Sequence, residues 1–260
     1  MKLFLRLAFL GTAYNGYQVQ GDQPTVQREL TRACAELFGV RCDIVGCSRT
    51  DSGVHANMFC ATVAQRGTDE LHTSVPVSRI PVALNAHLPD DIAVYDAMLV
   101  SSDFHPRYDV QYKEYVYRIY NSPCRNPFEE GRSWFYPKRI DDRSLVSMQE
   151  AARCYCGTHD FTSFMSQGAT VAHAVRTVKH ARVERKGDVI EFYVAADGFL
   201  YNMVRIMTGT LISVAEGKLT PEDVPGVIEA RDRAKAGLTA PAMGLYLNRV
   251  VYEHIPKEIP

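Results

Sequence analysis

The run Ser48-Arg49-Thr50-Asp51-Ser52-Gly53-Val54-His55-Ala56 constrains this chain more than any other. It lies between two segments that read as strands. Cys42-Asp43-Ile44-Val45-Gly46-Cys47 precedes it and is short and apolar. Met58-Phe59-Cys60-Ala61-Thr62-Val63 follows and is rich in strand formers. Gly53 tolerates a positive φ, so the backbone can reverse there. The expected result is a tight turn that presents one carboxylate, Asp51, from a frame held on both sides, as a catalytic group requires. Arg49, two residues earlier, can reach the same surface. Asp-Ser-Gly is also ordinary turn chemistry, because Asp and Ser side chains bond nearby backbone N–H groups.

The remaining pattern gives two halves of similar logic. A strand over 3–10 leads into a loop containing Gly11, Gly16, Gly21 and Pro24. The spacing of Val26, Leu30, Ala33, Cys34 and Leu37 predicts one buried face of a helix over 25–38, stopped by Gly39. After the two strands around Asp51, residues 76–88 read as a second helix, weakened by Pro81, and 92–100 as a strand. This strand-helix-strand-strand-helix-strand order suggests a ferredoxin-like lobe. In the second half, 111–120 alternates as a strand and 141–156 is helical with an acidic first turn. Residues 171–185 and 189–196 read as paired strands joined through Lys186-Gly187-Asp188. An apolar helix over 200–216 and a Pro-led helix from Thr220-Pro221 complete the pattern. The fold class is α+β, with lobes over 1–105 and 106–260.

Composition is compatible with this. Hydrophobic residues make up 46% of the 260, ample for a sizeable core. No apolar run approaches a membrane span, and Lys2-Leu3-Phe4-Leu5-Arg6-Leu7 alternates as a strand rather than forming a signal peptide. The 7 cysteines are odd in number and lack metal-ligand spacing, so they read as reduced, mostly buried thiols of a cytoplasmic protein. A net charge of −1 argues against a surface dominated by nucleic-acid binding. A local basic cleft still suffices to attract phosphate. Its candidates are Arg49, Arg107, Lys113, Arg118, Arg125 and Arg132, and later Arg176, Lys179, Arg182 and Arg205. Interleaved acids make a solvated surface the plainer reading of most of these.

The longer string Arg49-Thr50-Asp51-x-Gly53-Val54-His55 resembles the active-site motif of the tRNA pseudouridine synthase A family. The resemblance runs along nearly the whole chain. It includes Gly11-Thr12-x-Tyr14-x-Gly16-Tyr17-Gln18-x-Gln20 and Thr25-Val26-Gln27-x-Glu29-Leu30. It continues through Leu84-Asn85-x-x-Leu88-Pro89-x-Asp91-Ile92, Asp103-Phe104-His105-x-Arg107-Tyr108 and Lys113-x-Tyr115-x-Tyr117. Gly157-x-His159-Asp160-Phe161-x-x-Phe164 comes next. It ends with Phe199-Leu200-x-x-Met203-Val204-Arg205 and Ala240-Pro241-x-x-Gly244-Leu245-Tyr246-Leu247. Tyr17 stands where the family usually has tryptophan, and Ser48 and Ser52 replace a glycine and an alanine, which leaves the target position open.

The resemblance implies two ferredoxin-like lobes sharing a mixed, largely antiparallel sheet, with a cleft between them. It implies isomerisation of uridine to pseudouridine in the tRNA anticodon stem-loop, at positions 38, 39 and 40, by a homodimer. That reaction breaks the N-glycosidic bond, turns the base and rejoins it through C5. It needs no redox step or high-energy donor, so no cofactor or metal is expected. Asp51 is then the catalytic carboxylate, acting as nucleophile or as proton acceptor. Arg205 is its implied cationic partner, which would keep it ionised. Tyr115 is the implied ring on which the target base packs, Leu245 an apolar pocket residue, and Arg49 the group that helps flip the base. No histidine is nominated, because the chemistry demands none. Two other readings stay open. One is a non-catalytic RNA-binding paralogue. The other is a homodimeric aspartic protease, which would need two copies of the single Asp51-Ser52-Gly53 and an apolar lead-in that Arg49-Thr50 does not supply.

Overall fold

The structure, a computed structural model, describes residues 1–168, 173–253 and 255. It is a mixed α+β fold with a largely antiparallel sheet, divided into two compact units. The first comprises Met1–Gln111 together with the chain from Leu247 onward, and the second Tyr112–Tyr246. The chain from Leu247 onward, most of the last strand, thus belongs with the first unit.

In the first unit the order is β1 (Lys2–Phe9), α1 (Val26–Phe38), β2 (Cys42–Gly46), β3 (His55–Gln65), α2 (Ile80–Asn85) and β4 (Ile92–Val100). β1 lies between β4 and β3, and β2 pairs with β3, all antiparallel. That is the 4-1-3-2 arrangement of a ferredoxin-like lobe. Leu5 faces Ala61 on one side and Ala97 on the other. β10 (Leu245–Tyr252) follows β3 in the sheet order. α1 begins where the Thr25 side chain accepts a hydrogen bond from the Arg28 N–H, and it ends at Gly39 with φ of 67°. Val26, Leu30, Ala33 and Cys34 are fully buried, each large aliphatic stabilising by roughly 1.5–3 kcal/mol. Leu37, expected on the same face, is only half buried.

β1 is buried along most of its length. Phe4 packs edge-on to Phe104 and Tyr252, and Arg6, 3% exposed, pairs with Asp96 at 3.1 Å. Both sides of β1 are therefore covered. The helix expected over 76–88 is shorter, a 3-10 turn over Val77–Arg79 and then α2, because Pro81 lacks an N–H and fits only in a first helical turn.

The second unit contains β5 (Val110–Tyr120), β6 (Trp134–Phe135), α3 (Asp142–Arg153), β7 (Gly157–Asp160), β8 (Val175–Lys186), β9 (Val189–Ala196), α4 (Met203–Ala215) and α5 (Asp223–Ala230). Its strand order is β5-β9-β8-β7, antiparallel throughout, with the two-residue β6 parallel to β5. β8 and β9 form the expected hairpin, turning at Gly187 with φ of 61°. The strand anticipated from 171 begins at Val175, and Val171 and Ala172 lie outside the described residues. α3 packs on α4 and β8. Asp141 caps the start of α3, which ends at Arg153, so Cys154 and Cys156 fall at and beyond its end rather than within it.

Candidate active site

Asp51 sits on the turn between β2 and β3, half buried, with Gly53 at φ of 77° and the Val54 N–H donating to the Asp51 carbonyl at 3.2 Å. The glycine-rich segment between β1 and α1 clamps this turn. The Gly53 N–H donates to the Tyr14 carbonyl at 3.2 Å, and the Tyr17 N–H to the Thr50 carbonyl at 3.4 Å. The Ser52 hydroxyl donates to Asn15 Oδ1 at 3.1 Å. Gly16, with φ of 79°, passes so close that a Cβ would collide with the Thr50 carbonyl oxygen. A Cβ at Gly11 would likewise strike the Val54 carbonyl. His55 is fully buried and its Nδ1 accepts the Gly11 N–H at 2.9 Å. His55 thus anchors the clamp. The far end of the clamp is tied by the Tyr14 hydroxyl, which donates to Asp91 at 2.5 Å. Burial and then that carboxylate raise the Tyr14 phenol above its ordinary range.

Arg49, on the same turn, is exposed and has no ion pair among the described residues. Arg49 and Asp51 are therefore presented together by the first unit.

Tyr115, Arg205 and Leu245 belong to the second unit. Tyr115 lies in the middle of β5 opposite Val194. It is 7% exposed, and its ring stands edge-on to Phe199 at 4.8 Å. Arg205 is in the first turn of α4. Its Nε donates to the Ala240 carbonyl at 2.7 Å and its Nη1 to Asn202 Oδ1 at 2.6 Å. The neighbouring Pro241 carbonyl accepts the Tyr117 hydroxyl at 2.6 Å. Burial pushes that phenol up and the Arg205 charge opposes it, so the two side chains lie within electrostatic reach. Leu245, buried, follows Gly244, where a Cβ would press on the Tyr117 ring. One segment, 240–245, therefore links the Arg205 helix to the Tyr115 strand.

Several expected basic contacts are already engaged. Arg118 pairs with Glu129 at 3.3 Å and Glu191 at 3.5 Å, and Arg182 with Glu184 at 2.9 Å. The sequence reading passed over Asn202, which sits at φ of 60° and holds both Arg205 and, through Nδ2, the Ser166 hydroxyl at 2.9 Å. Its signal was an asparagine immediately ahead of an apolar helix, since asparagine tolerates the left-handed region best among non-glycine residues. Among the described residues no cluster of His, Cys, Asp and Glu could hold a metal ion.

The sequence profile of the tRNA pseudouridine synthase family matches residues 7–109 and 151–253, reaching into both units. A protein from Moorella thermoacetica named tRNA pseudouridine synthase A is 43% identical over 252 residues, covering 96% of this chain and 99% of its own. One of the same name from Acetivibrio thermocellus is 42% identical over 248 residues, at 95% and 98% coverage. A Clostridium tetani protein named tRNA pseudouridine synthase A 2 is 38% identical over 250 residues, at 95% and 97%. This chain belongs to the tRNA pseudouridine synthase family.

Proposed function

We propose that this protein isomerises uridine to pseudouridine in the anticodon stem-loop of tRNA, at positions 38, 39 and 40, with Asp51 as the catalytic carboxylate. The observation that supports it best is the Asp51 turn itself. A member of this family carries an aspartate on a loop pinned by backbone bonds from a second loop, so the carboxylate is held before substrate arrives. In the reaction the C1′–N1 bond breaks, the base turns and a C1′–C5 bond forms. The C5 proton is released to solvent and N1 takes one up, so atoms and charge balance. Arg49 assists extrusion of the base and holds the RNA backbone. Tyr115 and Leu245 pack on the extruded uracil, and Arg205, fixed by Asn202 and the Ala240 carbonyl, supplies positive charge to the substrate site. The reading includes a homodimer in the cytoplasm that grips RNA by shape and backbone.

The test is tritium release from C5-labelled uridine in unmodified tRNA, with wild type and Asp51→Ala side by side. Wild type releases tritium and the variant falls to background while still binding tRNA. Full activity in Asp51→Ala would remove Asp51 from the mechanism. Binding without release by wild type would favour the non-catalytic RNA binder.

A further inference from the structure

Beside the Asp51 turn, within the first unit, lies a cavity of about 270 Å³. Tyr17, Gln18, Gln27, Arg49, Arg107 and Tyr108 contribute to its wall, and no Asp or Glu does. Two positive charges thus share a wall without a carboxylate, and neither arginine has an ion pair among the described residues. That is the electrostatic footprint of a site for phosphate.

The rim is an ordered aromatic platform. The His105 N–H donates to Asp109 Oδ2 at 2.8 Å, and the Asp109 N–H returns to the His105 carbonyl at 3.1 Å. His105 Nδ1 accepts the N–H groups of Arg107 at 3.1 Å and Tyr108 at 3.3 Å. These two bonds hold the imidazole in one orientation. That flat ring stacks on Tyr108, centroids 4.2 Å apart and planes 28° from parallel. Tyr108 is nevertheless 74% exposed, with the Arg107 guanidinium 5.9 Å from its centre. A tyrosine fixed in place yet open to solvent gains little burial energy from the fold. Its geometry suits a second planar group.

We propose that this cavity is a second nucleotide subsite, which holds a base neighbouring the target uridine stacked on Tyr108, with its phosphate against Arg49 and Arg107. This rests on the tRNA reading above and extends it. Arg49 and Asp51 share one short turn, so a phosphate at Arg49 lies on the strand around the target nucleotide. A π face accepts any base, so the subsite grips the strand without selecting its sequence, while the exposed Gln18 amide offers hydrogen bonds to a base edge.

The experiment uses an anticodon stem-loop RNA carrying 2-aminopurine on the 5′ or the 3′ side of the target uridine, titrated with the full-length protein. Wild type and Tyr108→Phe quench the fluorescence from one of the two positions. Tyr108→Ala loses that quenching and binds about 5- to 150-fold more weakly, the range for one stacked base. Arg107→Ala lowers the salt slope of log Kd by about 0.7, as one lost phosphate contact does on a single strand. Wild-type quenching and affinity in Tyr108→Ala, or an equal loss in Tyr108→Phe, overturns the subsite. Tritium release by wild type on a C5-labelled version of the same stem-loop checks the underlying reading separately. If release is absent while quenching follows the expected pattern, the catalytic reading falls and the subsite stands.

Discussion

The Asp51 turn and the Arg205 helix start are held in different ways. Asp51 is fixed by main chain against main chain, with Gly11 and Gly16 passing where no side chain fits. Arg205 is fixed by its own side chain, through an asparagine three residues earlier and a carbonyl 35 residues later. The first arrangement tolerates no extra atom and fixes the backbone that carries Asp51. The second consumes hydrogen-bonding capacity of the functional group itself. A clamp of backbone suits a group that must react, and an anchored side chain suits one that must stay put.

The largest effect expected of this comparison comes from Gly16→Ala. A left-handed φ and a collision with Thr50 act together, so the variant loses about 2–4 kcal/mol, read as a lower denaturant midpoint. Tritium release falls with it, because the turn that carries Asp51 must shift. A fully stable, fully active Gly16→Ala would break the idea of a backbone clamp.

Next comes Asn202. Asn202→Gly keeps the left-handed conformation and loses only the side-chain bonds, whereas Asn202→Ala adds a backbone penalty of about 1–2 kcal/mol. The two therefore differ in stability but share a fall in kcat/KM of about 10- to 100-fold, the measure of a misplaced Arg205. Equal stabilities would show that Asn202 is not strained, and unchanged kcat/KM would show that Arg205 holds its place alone.

The smallest effect is at the other end of α4. Lys218, and then the Tyr136 hydroxyl, hold the Glu216 carboxyl down at about 2. A lowered folded value adds stability above the ordinary 4.5, and that stability is lost as pH falls toward 2. Glu216→Gln should flatten acid unfolding over that window and cost less than about 1 kcal/mol at neutral pH, because its partners Lys138 and Lys218 are both exposed. An unaltered acid limb would count against the pairing.

These two regions also differ in how far the sequence revealed them. α1 was legible because apolar spacing and a terminal glycine agree within one short stretch. The Asp51 turn was legible for the same reason, since its glycine and flanking strands are local. The buried Arg6 was not, because Asp96, Phe104 and Tyr252 cover that face from far along the chain. Arg205 could be named from its motif, but its ties to Asn202 and Ala240 could not. β6 and β7 went unseen because two and four residues carry no periodicity. His105 and Tyr108 were visible only as letters of a motif, since stacking depends on a turn closed by Asp109.

The return of the chain to the first unit orders events during synthesis. Tyr252 lies against Phe4 and Phe104 and donates its hydroxyl to the Pro106 carbonyl at 2.7 Å, while Asn248 bonds Asn57 at 2.9 Å. The strand that supplies these contacts is translated after the whole of the second unit. The first unit waits at the ribosome with Phe4 and Phe104 lacking their Tyr252 contact, and its sheet is completed only when residues 247–252 emerge. A ribosome that stalls before them leaves an unfinished sheet, so the nascent chain has the Asp51 motif long before it has a closed core to support it.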